Sequence, residues 1–262
     1  MLEIKDLYKA YSPGTVREMS LFNGFSLTID DGSFVSVVGG NGSGKTSLLN
    51  LLCGSIAPDS GAILMDGEDI TKKTEYQRMS RIGRIHQNPA AGTCAGMTIM
   101  ENLSLADHKK SRMGLAPCVD KSRAEAYRDL LRPLGLGLED MLESRCGTLS
   151  GGQRQALALV MATMTPIDYL ILDEHTAALD PRTAETIMKL TERVVRDKGL
   201  TALMVTHNLR YALSYGDRLL MLSRGHIALD VAGQDKKNLS MEKLLDTFNT
   251  INLEEESEES KC

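Results

Sequence analysis

Residues 170–180 read LILDEHTAALD, in which an apolar run stops at two adjacent carboxylates, Asp173 and Glu174, with a histidine, His175, directly after them. The run YLIL has the length and punctuation of a buried strand, and open α/β sheets place their ligands outside the carboxyl ends of their strands. Two acids there could hold a cation or activate a water, although acids also end strands simply because solvent begins there. A glycine-rich stretch decides between these readings. GGNGSGKT, Gly39 to Thr46, matches G-x-x-x-x-G-K-[ST]. Glycines let the backbone curl until successive N–H groups point at phosphate oxygens, and a helix that starts there adds its positive end. Gly39, Gly40, Asn41, Gly42, Ser43, Gly44, Lys45, Thr46 and the adjoining Ser47 are the expected cradle for a nucleoside triphosphate. Lys45 reaches the β and γ phosphates and the Thr46 hydroxyl ligates Mg²⁺. Asp173 then fits the acid that shares the metal, and Glu174 is free to orient or deprotonate the attacking water. The guanine-reading tetrapeptide NKxD is absent, which disfavours a GTPase.

A second glycine signal lies far along the chain. LSGGQ, residues 149–153, runs into the apolar-rich helical stretch RQALALVMA. Ser150 can cap that helix, Gly151 and Gly152 let its open N–H groups approach an anion, and Gln153 completes the motif. One nucleotide in one protomer does not explain two such sites. Two head-to-tail protomers, each lending LSGGQ to the other's phosphate loop, would.

The elements that must carry these residues are legible from periodicity. SFVSVVGG runs apolar into glycine, and KTSLLNLLCG repeats leucines at helical spacing until Gly54, so strand, loop and helix follow one another. AILMDGEDI holds an Asp66-Gly67 pair typical of a hairpin turn, and RIGRIHQ reads as another strand. From about residue 90 to 165 strand-like runs vanish. There VDKSRAEAYRDLLRPLG places Tyr127, Leu130, Leu131 and Leu134 on one helical face, which predicts an inserted helical subdomain. YLILDE, TALMVTHN and RLLMLSRG restore the strand pattern, and a helix opens at Asp180-Pro181 and closes near Gly199. The alternation predicts the α/β class with a mostly parallel sheet.

Taken in order, an aromatic in KAY (Tyr11), GGNGSGKT, the glutamine of RIHQNP (Gln87), LSGGQ, LILDE, AALD ending at Asp180 and the histidine of VTHN (His207) make the chain strongly resemble the ABC-type ATPases, to about Ala232. The resemblance implies a P-loop NTPase fold of that type, with an antiparallel β part beside the parallel core and one domain over residues 1–250. It implies that Tyr11 stacks on adenine, that Gln87 senses the γ-phosphate and Mg²⁺, that Glu174 is the general base, that His207 contacts the γ-phosphate and that Asp180 lies in the loop linking the two sites of a dimer. It further implies ATP and Mg²⁺ as ligands, a second copy of the chain and transmembrane permease subunits as partners, and a place at the cytoplasmic face of a membrane.

His175 departs from the family, most of which has proline there, and is expected to shape the loop while Glu174 and His207 do the chemistry. His86, His108 and His226 stand in no motif and read as structural or surface residues. The five cysteines, Cys53, Cys94, Cys118, Cys146 and Cys262, are scattered and never form CxxC, which argues against a disulfide framework or a zinc site. With 262 residues, a formal charge of −5 and no apolar run long enough to span a bilayer, the chain reads as neither membrane-spanning nor exported, and its acidic balance disfavours nucleic acid. The acidic stretch 251–262 is expected to be disordered. DEHTAALD, with AGTCAGMTIMENLSLA after Gln87, is similar to a group of bacterial ABC ATPases encoded beside substrate-binding lipoproteins, which implies an importer of a small solute such as an amino acid. An exporter or lipid-extrusion ATPase, and a soluble ABC ATPase acting on DNA or ribosomes, are the competing readings.

Overall fold

The computed structural model describes residues 1–11, 19–108 and 119–259. In chain order the elements are β1 (Leu2–Tyr11), β2 (Met19–Ile29), β3 (Phe34–Gly39), α1 (Lys45–Cys53), β4 (Ser60–Met65), β5 (Glu68–Asp69), α2 (Glu75–Arg78), β6 (Ile82–Ile85), α3 (Ile99–Asp107), α4 (Ala124–Leu131), α5 (Gly151–Thr163), β7 (Tyr169–Asp173), α6 (Pro181–Lys198), β8 (Thr201–Val205), α7 (Leu209–Ser214), β9 (Arg218–Ser223), β10 (His226–Ala232), α8 (Gly233–Asn238) and α9 (Met241–Glu259). They fall into two compact units, Met1–Arg78 with Gly199–Cys262, and Met79–Lys198. The second is wider than the helical stretch 90–165 read from sequence, because it takes in β6, β7 and α6.

In the first unit β3 is buried along its whole length and lies between β8 and β9, parallel to both, with β10 antiparallel beyond β9. Strands covered on both faces need continuous apolar sequence, which FVSVVG and TALMV supply. A second, antiparallel sheet runs in the order β2-β1-β4-β5. Its tight turn is the anticipated Asp66-Gly67 pair, both at positive φ (52° and 77°). In α1, Leu48, Leu49, Leu51 and Leu52 are buried. Near the C-terminus, Leu244 joins a core cluster with Val38, Ala212, Leu219 and Met221, and Phe248 and Ile251 pack against it. Where a disordered acidic stretch is expected from residue 251, the backbone stays helical to Glu259. The apolar contacts of the helix's earlier turns anchor it, and glutamate and leucine are good helix formers that let it continue. Residues 260–262 lie outside the described residues.

In the second unit β6 and β7 form a parallel pair with Ile85 opposite Leu172. Between residues 90 and 165 the described elements are helices and short 3-10 turns, with one isolated bridge, Thr98 to Arg145. α3 opens with a reciprocal cap between Thr98 and Glu101. The face expected on α4 needs correction. Tyr127, Leu131 and Leu134 are buried, but Leu130 is 38% exposed. The stripe follows i, i+4, i+7, and α4 ends at Leu131 before Pro133, so Leu130 falls on the edge of a short helix. Cys53 and Cys146 are buried and Cys94 is exposed, none of the three in a disulfide, while Cys118 and Cys262 lie outside the described residues. No described helix is long and apolar enough to cross a membrane.

Candidate nucleotide site

The phosphate-loop residues belong to the first unit. β3 delivers the chain to Gly39, whose φ of 154° and surroundings admit no side chain, since a Cβ would sit 2.3 Å from Leu222 O. Gly44 (φ 104°) is equally constrained, with a Cβ 2.9 Å from the Phe22 ring. Between them the loop curls around Lys45, which is 5% exposed. Its ammonium donates to Gly39 O (2.9 Å), Gly40 O (2.6 Å) and Ser43 Oγ (3.3 Å). The β9–β10 turn braces the loop through Gly225 N–H to Ser43 O at 3.0 Å. Gly44 gives α1 no side-chain cap, and the positive end of a helix favours an anion. Asn41 and Gly42 are exposed at the loop's crest, and Thr46 is exposed on the first turn of α1.

Two other expected residues gather there. Tyr11 ends β1 with its hydroxyl 3.0 Å from Ser47 Oγ, so its ring lies by the start of α1, half exposed with Lys9 Nζ 5.9 Å from its centroid. His207 follows β8. Val205 pairs with Val37, so His207 and Gly39, each two residues further on, leave the same end of neighbouring strands. That is the carboxyl end, where the fold class places ligands. His207 is exposed.

The remaining residues belong to the second unit and repeat the logic. Ile85 pairs with Leu172, so Gln87 and Glu174 leave the same end of β6 and β7. Gln87 and Asp173 line a recess of about 450 Å³ with His86, Asn88, Ala91 and Ala178. Asp173 Oδ2 accepts from Arg84 Nη2 at 3.2 Å. Glu174 has φ of 46°, a left-handed conformation that side chains other than glycine adopt at a cost on the order of 1 kcal/mol. The turn it starts is closed by Ala177 N–H to Glu174 O at 2.9 Å. His175, the next residue, goes into the core. His175 is 2% exposed, and its Nε2 shares a 3.2 Å hydrogen bond with Thr191 Oγ1 of α6. Burial pushes its pKa from 6.5 down to about 4, so the ring is neutral near pH 7.

LSGGQ forms the start of α5. Ser150 Oγ accepts from Gln153 N–H at 3.2 Å, and Gln153 Oε1 accepts from Ser150 N–H at 3.1 Å. The Gln153 amide also donates to Leu136 O at 3.2 Å. Gln153 is thus committed to the cap, whereas the Ser150 hydroxyl keeps its own proton to donate. Gly151 is exposed, and Gly152 is buried where a Cβ would come within 2.2 Å of Thr183 Cγ2 on α6. Asp180 caps α6, its Oδ1 accepting from Arg182 N–H (3.2 Å) and Thr183 N–H (3.1 Å). Hydrogen bonds from Thr183, side chain first and then backbone, hold its pKa below the usual carboxylate value.

The donors present suit Mg²⁺. The Thr46 hydroxyl in the first unit and the Asp173 carboxylate in the second are each hard oxygen donors of the kind that Mg²⁺ takes. Arg84, Thr191 and Thr183 are site-supporting residues that sequence reasoning missed. Only Arg84 left a signal, as a charged residue inside the strand-like run RIGRI.

The profile of the ABC transporter family matches residues 22–177. A tyrosine transport ATP-binding protein of Clostridioides difficile (strain R20291) is 44% identical over 248 residues, covering 95% of this chain and 98% of that protein. The spermidine/putrescine import ATP-binding protein PotA of Pasteurella multocida (strain Pm70) is 33% identical over 257 residues, which is 96% of this chain and 65% of the relative. Among solved structures, a dimeric ATP-binding cassette in a post-hydrolysis state bound to ADP and Pi matches with a TM-score of 0.74 at 26% identity, over 88% of this chain and 98% of that chain. A cassette in its ADP conformation matches with a TM-score of 0.77 at 26% identity, over 95% and 98%.

Proposed function

This chain belongs to the ABC transporter family, and from that premise we propose that it powers a bacterial importer whose cargo is an amino acid, tyrosine or a close aromatic relative. The chain is an ATP-binding and ATP-hydrolysing subunit. The cargo rests on the relative named for tyrosine transport, which aligns end to end with this chain. The observation that carries the nucleotide chemistry is the loop 39–44 wrapped around a buried Lys45 at an uncapped helix start.

In the proposed reaction Lys45 Nζ turns from the carbonyls of Gly39 and Gly40 to the β and γ phosphate oxygens, exchanging neutral acceptors for charged ones. Backbone N–H groups of the loop and of α1 take the remaining oxygens, and the exposed face of Tyr11 receives the adenine. Mg²⁺, when held by Thr46 and Asp173 with Gln87 beside it, supplies neutralisation of charge on the β and γ phosphates. Glu174 accepts a proton from the attacking water as that oxygen bonds to the γ phosphorus and the bond to the leaving ADP oxygen breaks. His207 donates to the γ-phosphate. Ser150, Gly151, Gly152 and Gln153 come from a second copy, whose Ser150 hydroxyl and helix N-terminus face the γ-phosphate, with Asp180 in the loop between the two sites. Closure and reopening of that dimer would move a pair of permease subunits at the cytoplasmic face of the membrane, supplied by a substrate-binding lipoprotein.

The test is reconstitution of the chain in proteoliposomes with the permease and binding protein of its gene neighbourhood. Tyrosine added with the binding protein should stimulate ATP hydrolysis and accumulate inside. Stimulation by a polyamine but not by any aromatic amino acid would overturn the cargo and leave the ATPase standing.

A further inference from the structure

Arg84 is a charged residue on a strand otherwise made of Ile82, Gly83 and Ile85. It pairs in register with Ile171 of the parallel strand β7. Side chains two residues apart on a strand share a face, so Arg84 and Asp173 lie on one face, a single pleat apart, and the long arginine spans the diagonal. Its Nη2 reaches Asp173 Oδ2 at 3.2 Å, and the two side chains are only 10% and 15% exposed. An exposed ion pair would mean little. A mostly desolvated one is different, because removing either partner leaves a charge with poor hydration.

We infer that Arg84 is a positioning residue for the metal-side carboxylate: it holds Asp173 through Oδ2, leaves Oδ1 as the oxygen offered to a divalent cation, and by its fixed charge keeps cation affinity low until triphosphate oxygens share the ion. The inference rests on the reading of Asp173 as the Mg²⁺ carboxylate. A planar guanidinium fixes a carboxylate more tightly than an ammonium does and stays charged at every working pH. A divalent ion near Oδ1 is repelled by that charge, which cancels part of the attraction of Asp173. The several negative charges of a triphosphate restore the balance, so the metal arrives as part of the nucleotide complex.

The full-length protein, in excess over a non-hydrolysable ATP analogue so that all of the nucleotide is bound, is titrated with Mn²⁺ while electron paramagnetic resonance reads the free ion. Arg84→Met removes the charge at similar length, and its dissociation constant for Mn²⁺ should fall about fivefold, with analogue affinity in EDTA within about twofold of wild type. Arg84→Lys keeps the charge and should keep the wild-type metal constant. Should Arg84→Met fail to fold, as judged by its melting transition, Arg84→Gln supplies the neutral variant with a polar end. An unchanged or raised Mn²⁺ constant in a folded neutral variant overturns the inference. Asp173→Asn separates the two layers, since it should weaken Mn²⁺ by at least about tenfold. If it does and the neutral Arg84 variants change nothing, the Arg84 inference alone fails. If Asp173→Asn leaves Mn²⁺ binding intact, the metal reading of Asp173 fails and takes the inference with it.

Discussion

At the scale of single residues, Glu174 and His175 share one turn but differ in surroundings, Glu174 half-buried and His175 buried. Glu174 sits at positive φ and His175 is enclosed against Thr191. The His175 pKa in the folded chain, about 4, lies below its ordinary 6.5. Between those values the unfolded chain binds more protons than the folded one, so stability rises with pH there. The contribution is fully present above pH 6.5 and drains away as pH falls towards 4, amounting to on the order of 3 kcal/mol over the whole window. Urea unfolding of His175→Gln, whose amide reaches about as far as Nε2, should therefore show a flatter decline than wild type between pH 7 and pH 4.5. Equal slopes would mean that the imidazole titrates normally. Because the ring is already neutral above pH 6, the same variant should retain most of the hydrolysis rate from pH 6 to 9 with an unaltered profile. Lys45→Ala, in contrast, should lose most ATP affinity in equilibrium binding, since it removes a charge-assisted contact to two phosphates. Wild-type binding by Lys45→Ala would refute the loop assignment.

At the scale of elements, the start of α5 joins two demands in one pair of glycines. Gly151 is exposed where an anion can approach, and Gly152 lets α6 come close, its missing Cβ making room for Thr183 Cγ2. Gly152→Ala should destabilise the protein by about 1–3 kcal/mol through overpacking. Thr183→Ser removes the obstructing methyl and should return most of that stability in the double variant. If the double variant melts no higher than Gly152→Ala alone, the clash is not the cause. Such contacts explain what could and could not be read in advance. The strand, loop and helix around Lys45 follow from local rules: an apolar run, glycines at fixed spacing and leucines at helical period. The same holds for β7 with Asp173 and for the Asp180-Pro181 start of α6. The site residues themselves were legible for that reason, because each belongs to a short motif. Arg84, Thr191 and Thr183 depend on strand register and helix docking, which no window of sequence contains. β1 and β2 were also missed as a pair. Their register shifts between Ile4 and Leu7 and again before Lys9 and Ala10, and such irregularity breaks the period-two alternation by which strands are recognised. Leu130 erred the other way, since its spacing is helical but α4 is too short to bury it.

At the scale of the whole molecule, an LSGGQ segment that caps its own helix and still exposes Gly151 has no use for the nucleotide of its own protomer under the proposed reading. It needs a second copy. Two chains of formal charge −5 repel each other weakly at a distance, and under the same proposed reading bound ATP would bridge each phosphate loop to the opposite α5 and hydrolysis would release the pair by splitting that bridge. Slowing hydrolysis without harming binding should then trap the dimer. Glu174→Gln does this chemically, as its amide cannot take the water's proton while its size and backbone demands stay close to those of glutamate. Light scattering coupled to gel filtration, with ATP and Mg²⁺, should show this variant as a dimer and wild type under ADP as a monomer. Ser150→Arg in the Glu174→Gln background places a bulky cation at the α5 start and should abolish the trapped dimer while leaving each monomer's own phosphate loop able to bind ATP. A Glu174→Gln dimer that persists with Ser150→Arg would show that the copies associate through another surface, and a variant that binds ATP yet stays monomeric beside its permease subunits would remove the shared site altogether.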